Sequence, residues 1–239
     1  PLFPVEERQV PQSDVPGEKS WPTQPFPTKP LPLMQQELTE KDIWSDDTVR
    51  YKKCLEKLHV LRNEGIFTPP SERGSILYPA AGGGANWSGA AYNPESNILY
   101  IPVNTDVMVQ GLKKLPASNF NKTNAKVLRT SPSAAWWALT GRGTGLRYSM
   151  IDRRPFTVDG IPCKCPPWGW MVAVNLNSGV IVWRKPSGED TLKNIKGLNG
   201  YCPPLLTAGG VLFHGGTRDQ RLYAYDAKNG DVLAKYDLP

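Results

Sequence analysis

Alternation of apolar and polar positions predicts β structure over most of the chain downstream of residue 65. Three stretches share one pattern. Ala91 to Asn97 (AYNPESN) is followed by ILYIPV, Ala173 to Gly179 (AVNLNSG) by VIVWRK, and Ala224 to Gly230 (AYDAKNG) by DVLAKY. In each, a strand ends in Asn or Asp, a short turn closes on Asn or Gly, and a second strand follows. Asn, Asp and Gly tolerate the left-handed backbone of a tight hairpin. Gly210 to Gly215 (GVLFHG) reads as a further strand running into the third hairpin. Repeated antiparallel hairpins point to propeller blades, which recur about every 40–50 residues. The second interval fits that spacing. The first is longer, so an insertion is expected at about 106–160, where NFNKTN, RTSPS and GRGTG break the periodicity. A propeller closes with about 4–8 blades. Roughly three repeats therefore form part of a ring.

Upstream the pattern changes. Residues 38–64 keep helical spacing at Leu55, Leu58 and Leu61. Thr39 precedes acidic residues suited to a first turn, and Gly65 is a natural stop. Residues 1–36 are rich in Pro, which fixes φ and lacks the amide donor, so neither helix nor central strand fits. Two readings stay open for this segment: a flexible linker, or an extended loop laid over a larger body with Trp21 and Phe26 as anchors. The expected fold is all-β: a partial propeller over residues 37–239, with one short helix and long loops.

The chain has 239 residues, 24 Pro and 22 Gly, and a net charge of +6. The Lys and Arg residues are scattered and no nucleic-acid-binding motif occurs, so the charge reads as solubility and nucleic acid is not an expected partner. No apolar run is long enough to span a membrane as a helix, and no signal peptide is visible. The first residue is Pro1 and not Met, which marks a processed chain or a piece of a longer protein. Cys163 and Cys165 are spaced C-x-C, unlike a zinc site. With Cys54 and Cys202 they read first as buried or reduced thiols, one or two disulfides remaining open in an oxidising compartment. The sequon at Asn121 carries little weight by itself.

The second repeat resembles the tryptophan-docking motif of pyrroloquinoline-quinone (PQQ) dehydrogenases, A-x-D-x-x-x-G-x-x-x-W. Ala173, Gly179 and Trp183 match it, with Asn175 in place of Asp. In the third repeat Ala224, Asp226 and Gly230 match, and Ala234 replaces the Trp. SWPTQPFPTKP, LTEKDIW, GIFTPPSERGSILYPAAGGGANWSGAAYNPESNILYIPVN, GIPCKCPPWGW and TAGGVLFHGGTRDQRLYAYDAKNG resemble the membrane-bound branch, which includes glucose and quinate dehydrogenases. The likeness runs from about Trp21 to the C-terminus.

The resemblance implies a portion of an enzyme that oxidises a sugar, polyol or cyclic hydroxy acid. An upstream carboxylate would be the base, Ca²⁺ or Mg²⁺ would polarise the quinone, and ubiquinone would accept the electrons. It further implies a periplasmic location, attachment to the inner membrane through another region, and the remainder of the propeller as partner. The catalytic Asp, a PQQ-contacting Lys and the metal ligands would lie outside this chain. Asn86 and Trp87 in GGGANWSGA are the candidate cofactor contacts. An amide can donate to a quinone or carboxylate oxygen, and Gly82, Gly83 and Gly84 allow close backbone approach. Read as plain sequence, the same residues are a glycine bend with Trp87 in the core. The segment Tyr201 to Gly210 aligns with another family loop near PQQ, with Cys202-Pro203 where Gly-Gly is frequent. Arg218 and Asp219 read as a solvated turn salt bridge, and Trp168 as structural. The competing function is a non-catalytic propeller module that has lost PQQ, favoured by Cys202-Pro203 and Ala234.

Overall fold

The structure is a computed structural model and describes residues 2–114 and 148–239. The elements run β1 (Val5–Gln9), β2 (Thr23–Pro27), a 3₁₀ turn at Glu40–Asp42, α1 (Thr48–Val60), β3 (Ser75–Leu77), β4 (Ala91–Asn93), β5 (Ile98–Asn104), β6 (Met108–Lys114) and β7 (Tyr148–Pro155). Two short pairs follow in turn around longer strands: β8 (Thr157–Val158) with β9 (Ile161–Pro162), then β10 (Gly169–Asn175) and β11 (Val180–Pro186), then β12 (Glu189–Asp190) with β13 (Ile195–Lys196). The last four are β14 (Leu205–Leu206), β15 (Val211–His214), β16 (Arg221–Asp226) and β17 (Val232–Asp237).

Two four-stranded antiparallel sheets form the body, in the orders β4-β5-β10-β11 and β14-β15-β16-β17. These are propeller blades in an open, partial arrangement. The first two hairpin repeats do not make separate blades. They are the two halves of one sheet, because β5 pairs along its length with β10, from Ile98 against Asn175 to Asn104 against Gly169. The long segment 105–168 enters between the second and third strands of that blade. Three repeats therefore give two blades.

The hairpins close as their residue types dictate. The side-chain oxygen of Asn93 accepts from the backbone of Glu95 and Ser96, and that of Asn175 from Asn177 and Ser178. Asp226 does the same for Lys228. These local bonds stop each strand and start each turn. The closing residue has positive φ in all three: Asn97, Gly179 and Gly230.

The first blade is buried on both faces, which explains its nearly continuous apolar run Met171 to Val174. Val172 and Val174 face a cluster with Leu38, Tyr78, Val103 and Phe156. Met171, Ala173 and Trp183 face the second blade, meeting Leu212, Tyr223 and Tyr225. Trp183 is 8% exposed. It lies opposite Ala173 on the neighbouring strand, and its indole nitrogen donates to the Ala227 carbonyl at 3.0 Å. A side chain on Gly230 would meet the Trp183 ring at 2.6 Å. Ring and glycine thus fit flat against each other across the seam.

The structure shortens the expected helix and decides the readings that the sequence left open. The helix is shorter than 38–64, because Asp47 caps a fresh start by accepting from Arg50 N at 2.6 Å and the chain is extended again at Leu61. Thr39 and Asp42 instead form a capping box around the 3₁₀ turn. The N-terminal segment lies over the body as a two-stranded sheet of β1 and β2. Phe26 anchors it edge-on to Phe67, whereas Trp21 is 73% exposed and anchors nothing. Within 106–160, β6 pairs with both β3 and β7, and the segments NFNKTN, RTSPS and GRGTG lie outside the described residues. Finally, Cys54 on α1 and Cys163 are joined by a disulfide, both fully buried, leaving Cys165 and Cys202 as thiols. Residues 109 apart in sequence meet only because the inserted segment folds back onto α1, so spacing along the chain did not reveal the pair.

Trp183→Ala is expected to cost about 3–5 kcal/mol of stability, measured by urea unfolding of the complete protein. A loss below about 1 kcal/mol would mean that the seam is held elsewhere. The disulfide generates a second expectation. Cys54→Ser should lower stability by about 2–5 kcal/mol. Cys163→Ser should match it, and the double variant should add nothing further. Additive losses would show that the two cysteines act independently.

Candidate functional site

Strands β4 and β14 are the edge strands through which the two blades approach each other. Sheets of a propeller diverge outward, so these mark the inner side. The loops feeding them, 81–90 and 199–204, emerge at the same end of the sheets. That end also carries the strand termini Asn104, Gly169, His214 and Pro186.

One residue ties the two loops. The backbone N–H of Asn104 donates to Gly84 O at 2.9 Å. Its side-chain amide donates to Gly200 O at 2.8 Å, and its side-chain oxygen accepts from Gly200 N at 3.0 Å. Asn104 is buried, and Ser88 of the first loop adds a bond to Gly200 O at 3.2 Å. Sequence reasoning passed over Asn104. Its signal was an amide closing the apolar strand ILYIPVN, where a buried polar group demands partners.

On this frame Asn86 and Trp87 are brought to the surface. Both are exposed, Trp87 to 71%. Trp87 is therefore not a core residue. Gly83, at φ +73, lies directly beneath the Asn86 side chain, and a Cβ there would collide with the amide. Tyr201 of the second loop has its hydroxyl beside Gly82 and donates it to Asp106 at 3.0 Å. Burial, with the Asp106 charge, pushes the Tyr201 phenol up to about 12. Asn199 also donates to Asp106. Cys202 is exposed at this end, its Sγ packed over Gly216.

Behind the second loop lies a buried polar seam. Ser187, following the outer strand of the first blade, contacts His214 Nδ1 at 3.0 Å and the Tyr225 hydroxyl at 3.3 Å, both on the second blade. His214 is 1% exposed. Burial pushes its imidazole down to about 4, against a smaller opposing pull from the Cys202 backbone.

Arg218 and Asp219 do not pair with each other. Asp219 accepts from the Thr217 and Tyr223 hydroxyls and from Glu189 N at 3.0 Å. Those bonds hold its carboxyl below its ordinary value although burial opposes them. Trp168 packs edge-on to Trp44 at 5.5 Å and donates to Lys164 O at 2.9 Å. Trp44, Trp168, Glu189, Arg218 and Asp219 border a cavity of about 610 Å³ at the same end of the blades. Among the described residues no group of three or more His, Cys, Asp or Glu is placed to hold a metal ion. Among them, too, no helix is long and apolar enough to cross a membrane.

A family model described as the PQQ glucose/ethanol/alcohol dehydrogenase β-propeller domain matches residues 1–239. The chain is 30% identical over 262 residues to quinoprotein glucose dehydrogenase A of Acinetobacter calcoaceticus. It is 28% identical over 254 residues to the quinate/shikimate dehydrogenase (quinone) of Acinetobacter baylyi, and 31% over 252 residues to the quinoprotein glucose dehydrogenase of Escherichia coli. Each match takes in 100% of this chain and 30% of the relative. The chain thus spans under a third of the length of these relatives.

His214 makes the stability of the seam depend on pH. The folded state holds the imidazole neutral, so its contribution is fully present above the unfolded value near 6.5 and is lost as pH falls from there toward 4. The loss should total roughly 3 kcal/mol. In urea unfolding between pH 7.5 and 4, the difference between wild type and His214→Gln should shrink by that amount. A difference that does not change with pH would refute the neutral buried imidazole.

Proposed function

The chain belongs to the PQQ glucose/ethanol/alcohol dehydrogenase β-propeller family, and on that premise we propose that it forms part of a PQQ-dependent dehydrogenase in which Asn86 and Trp87 contact the cofactor. The whole enzyme would oxidise a sugar, polyol or cyclic hydroxy acid and deliver electrons to a membrane quinone. It would work in the periplasm, held at the inner membrane by a region outside this chain.

The observation that carries this reading is the convergence of two loops at the inner end of adjacent blades, with an exposed amide and an exposed indole on one of them. The residues present fit one side of such a cofactor. Gly83 leaves only enough space for the Asn86 amide to stand above the loop, where its N–H groups would donate to a quinone or carboxylate oxygen. The Trp87 ring offers a flat apolar face to a planar ring system. Asn104 would act at one remove, fixing loop 81–90 against loop 199–204 so that donor and ring keep their spacing. When bound, PQQ supplies a two-electron acceptor. The Ca²⁺ or Mg²⁺ ion and the general base would come from other parts of the whole enzyme.

PQQ titration of the complete protein with Ca²⁺ present, followed by dye reduction with glucose or quinate, tests the reading. Asn86→Ala should weaken PQQ binding about 10–100-fold, the worth of one hydrogen bond to a charged group. Trp87→Ala should weaken it as well without altering the fold by circular dichroism. Saturable PQQ binding that neither variant disturbs would remove these two residues from the site. No PQQ binding at all would leave the non-catalytic propeller module as the function.

A further inference from the structure

The second blade has one face that the first does not cover. Leu212, Tyr223 and Tyr225 look toward the first blade. Side chains alternate across a strand. Leu205 of β14, Phe213 of β15, Leu222 and Ala224 of β16, and Ala234 and Tyr236 of β17 therefore look the other way, side by side across the sheet. Neither apolar cluster of the described residues takes them in. Leu205 and Tyr236, at the two edges, are 61% and 55% exposed. An antiparallel sheet can leave one face to water when that face is polar. This one is apolar, and a contiguous apolar face marks a contact surface.

The register of the strands tells what covers it. In the first blade Ala173 lies opposite Trp183 and Met171 opposite Lys185, with a bulge after Ala173. In the second, Ala224 lies opposite Ala234 and Leu222 opposite Tyr236, with the bulge after Ala224. Ala234 thus holds the place of Trp183, and Tyr236 the place of Lys185, two residues on and on the same side. Both of those places touch the neighbouring turn in the first blade. A Cβ on Gly230 would meet the Trp183 ring at 2.6 Å and the Lys185 stem at 2.8 Å. At Gly179 the same two parts recur, with the Phe3 ring at 2.8 Å and Lys29 Cβ at 2.9 Å. Each joint therefore has two adjoining seats on a turn glycine, and one of them holds a ring. In the second blade the seat of Trp183 holds only Ala234, and the ring stands in the other.

We propose that this face receives a third blade, from a part of the complete protein outside this chain, and that Tyr236 is the ring that packs on the turn glycine of that blade. Bulk is exchanged between two adjacent seats, so the volume filled at the joint is conserved. The ring packs while the phenol hydroxyl stays in water at the rim. A second copy of this chain does not fit the same role, because its hairpin glycines Gly179 and Gly230 are already covered by Phe3 and Trp183. The proposal rests on the open propeller and not on the cofactor reading.

In the complete protein, p-benzoylphenylalanine placed at position 236 reads the contact directly. Irradiation should cross-link it to a peptide outside residues 1–239 that carries a hairpin turn closing on Gly, identified by mass spectrometry. A cross-link to a second copy, a cross-link within residues 1–239, or none at all would overturn the proposal. Urea unfolding reads it a second way. Tyr236→Ala should raise the ratio of unfolded to folded protein at fixed urea about tenfold or more, and Tyr236→Phe should change it less than about threefold. Combining Ala234→Trp with Tyr236→Ala should recover much of the loss, since the ring returns to the other seat. A ratio indifferent to Tyr236→Ala, or a combined variant no better than Tyr236→Ala, would count against the joint and overturn it. The two readings fail separately. The expected cross-link in a protein that does not bind PQQ would defeat the dehydrogenase reading alone. PQQ-dependent dye reduction without that cross-link would defeat this one alone.

Discussion

The placement of Trp183 is the contact on which the rest of the architecture depends. Its ring lies between Ala173 on its own sheet and the Gly230 turn of the next, and its indole nitrogen bonds the Ala227 carbonyl. Burial of so large a ring is worth a few kcal/mol, and the hydrogen bond fixes where along the seam that burial occurs. Small residues are needed on both sides, since a side chain on Gly230 would occupy the volume of the ring. The same relation recurs one step earlier, where the Phe3 ring lies against Gly179. An aromatic on a turn glycine is thus the repeated joint of this assembly, made once by an indole and once by a phenyl ring.

That joint sits on the outer side of the seam, while β4 and β14 meet on the inner side, where the loops that lead into them emerge. The outer joint is apolar, while the inner end is organised by polar groups. Asn104 holds Gly200 from both sides, and Ser187 of the first blade reaches across the seam to His214 and Tyr225 of the second. Buried polar groups are stabilising only when satisfied, so these bonds specify one register of the two loops and penalise others. The disulfide between Cys54 and Cys163 does similar work at a distance, clamping the inserted segment to α1 on the far face of the first blade.

Hairpins were legible in the sequence because their causes are local. Asn93, Asn175 and Asp226 bond to backbone two or three residues on, and the positive-φ residues closing the turns had to be Asn or Gly. The docking residues were legible too, since Ala173, Trp183 and Gly230 occupy fixed steps of a repeat. The helix was legible in kind but not in length: a cap at Asp47 and an extended Leu61 override a leucine spacing that continues on both sides.

What the sequence by itself determined was the set of turns and the repeat, which depend on residues within a few positions of one another, together with the residue types that the joint at Trp183 uses. What only the tertiary structure decided was which partners meet from far apart. It placed two of the three repeats in one sheet, paired Cys54 with Cys163, separated Arg218 from Asp219, and set Trp87 on an exposed loop where the plain sequence also allowed a core position. The physical reason is common to all four. Local bonding fixes the form of a hairpin, but nothing within it records which edge it will pair with or which of its faces will be covered.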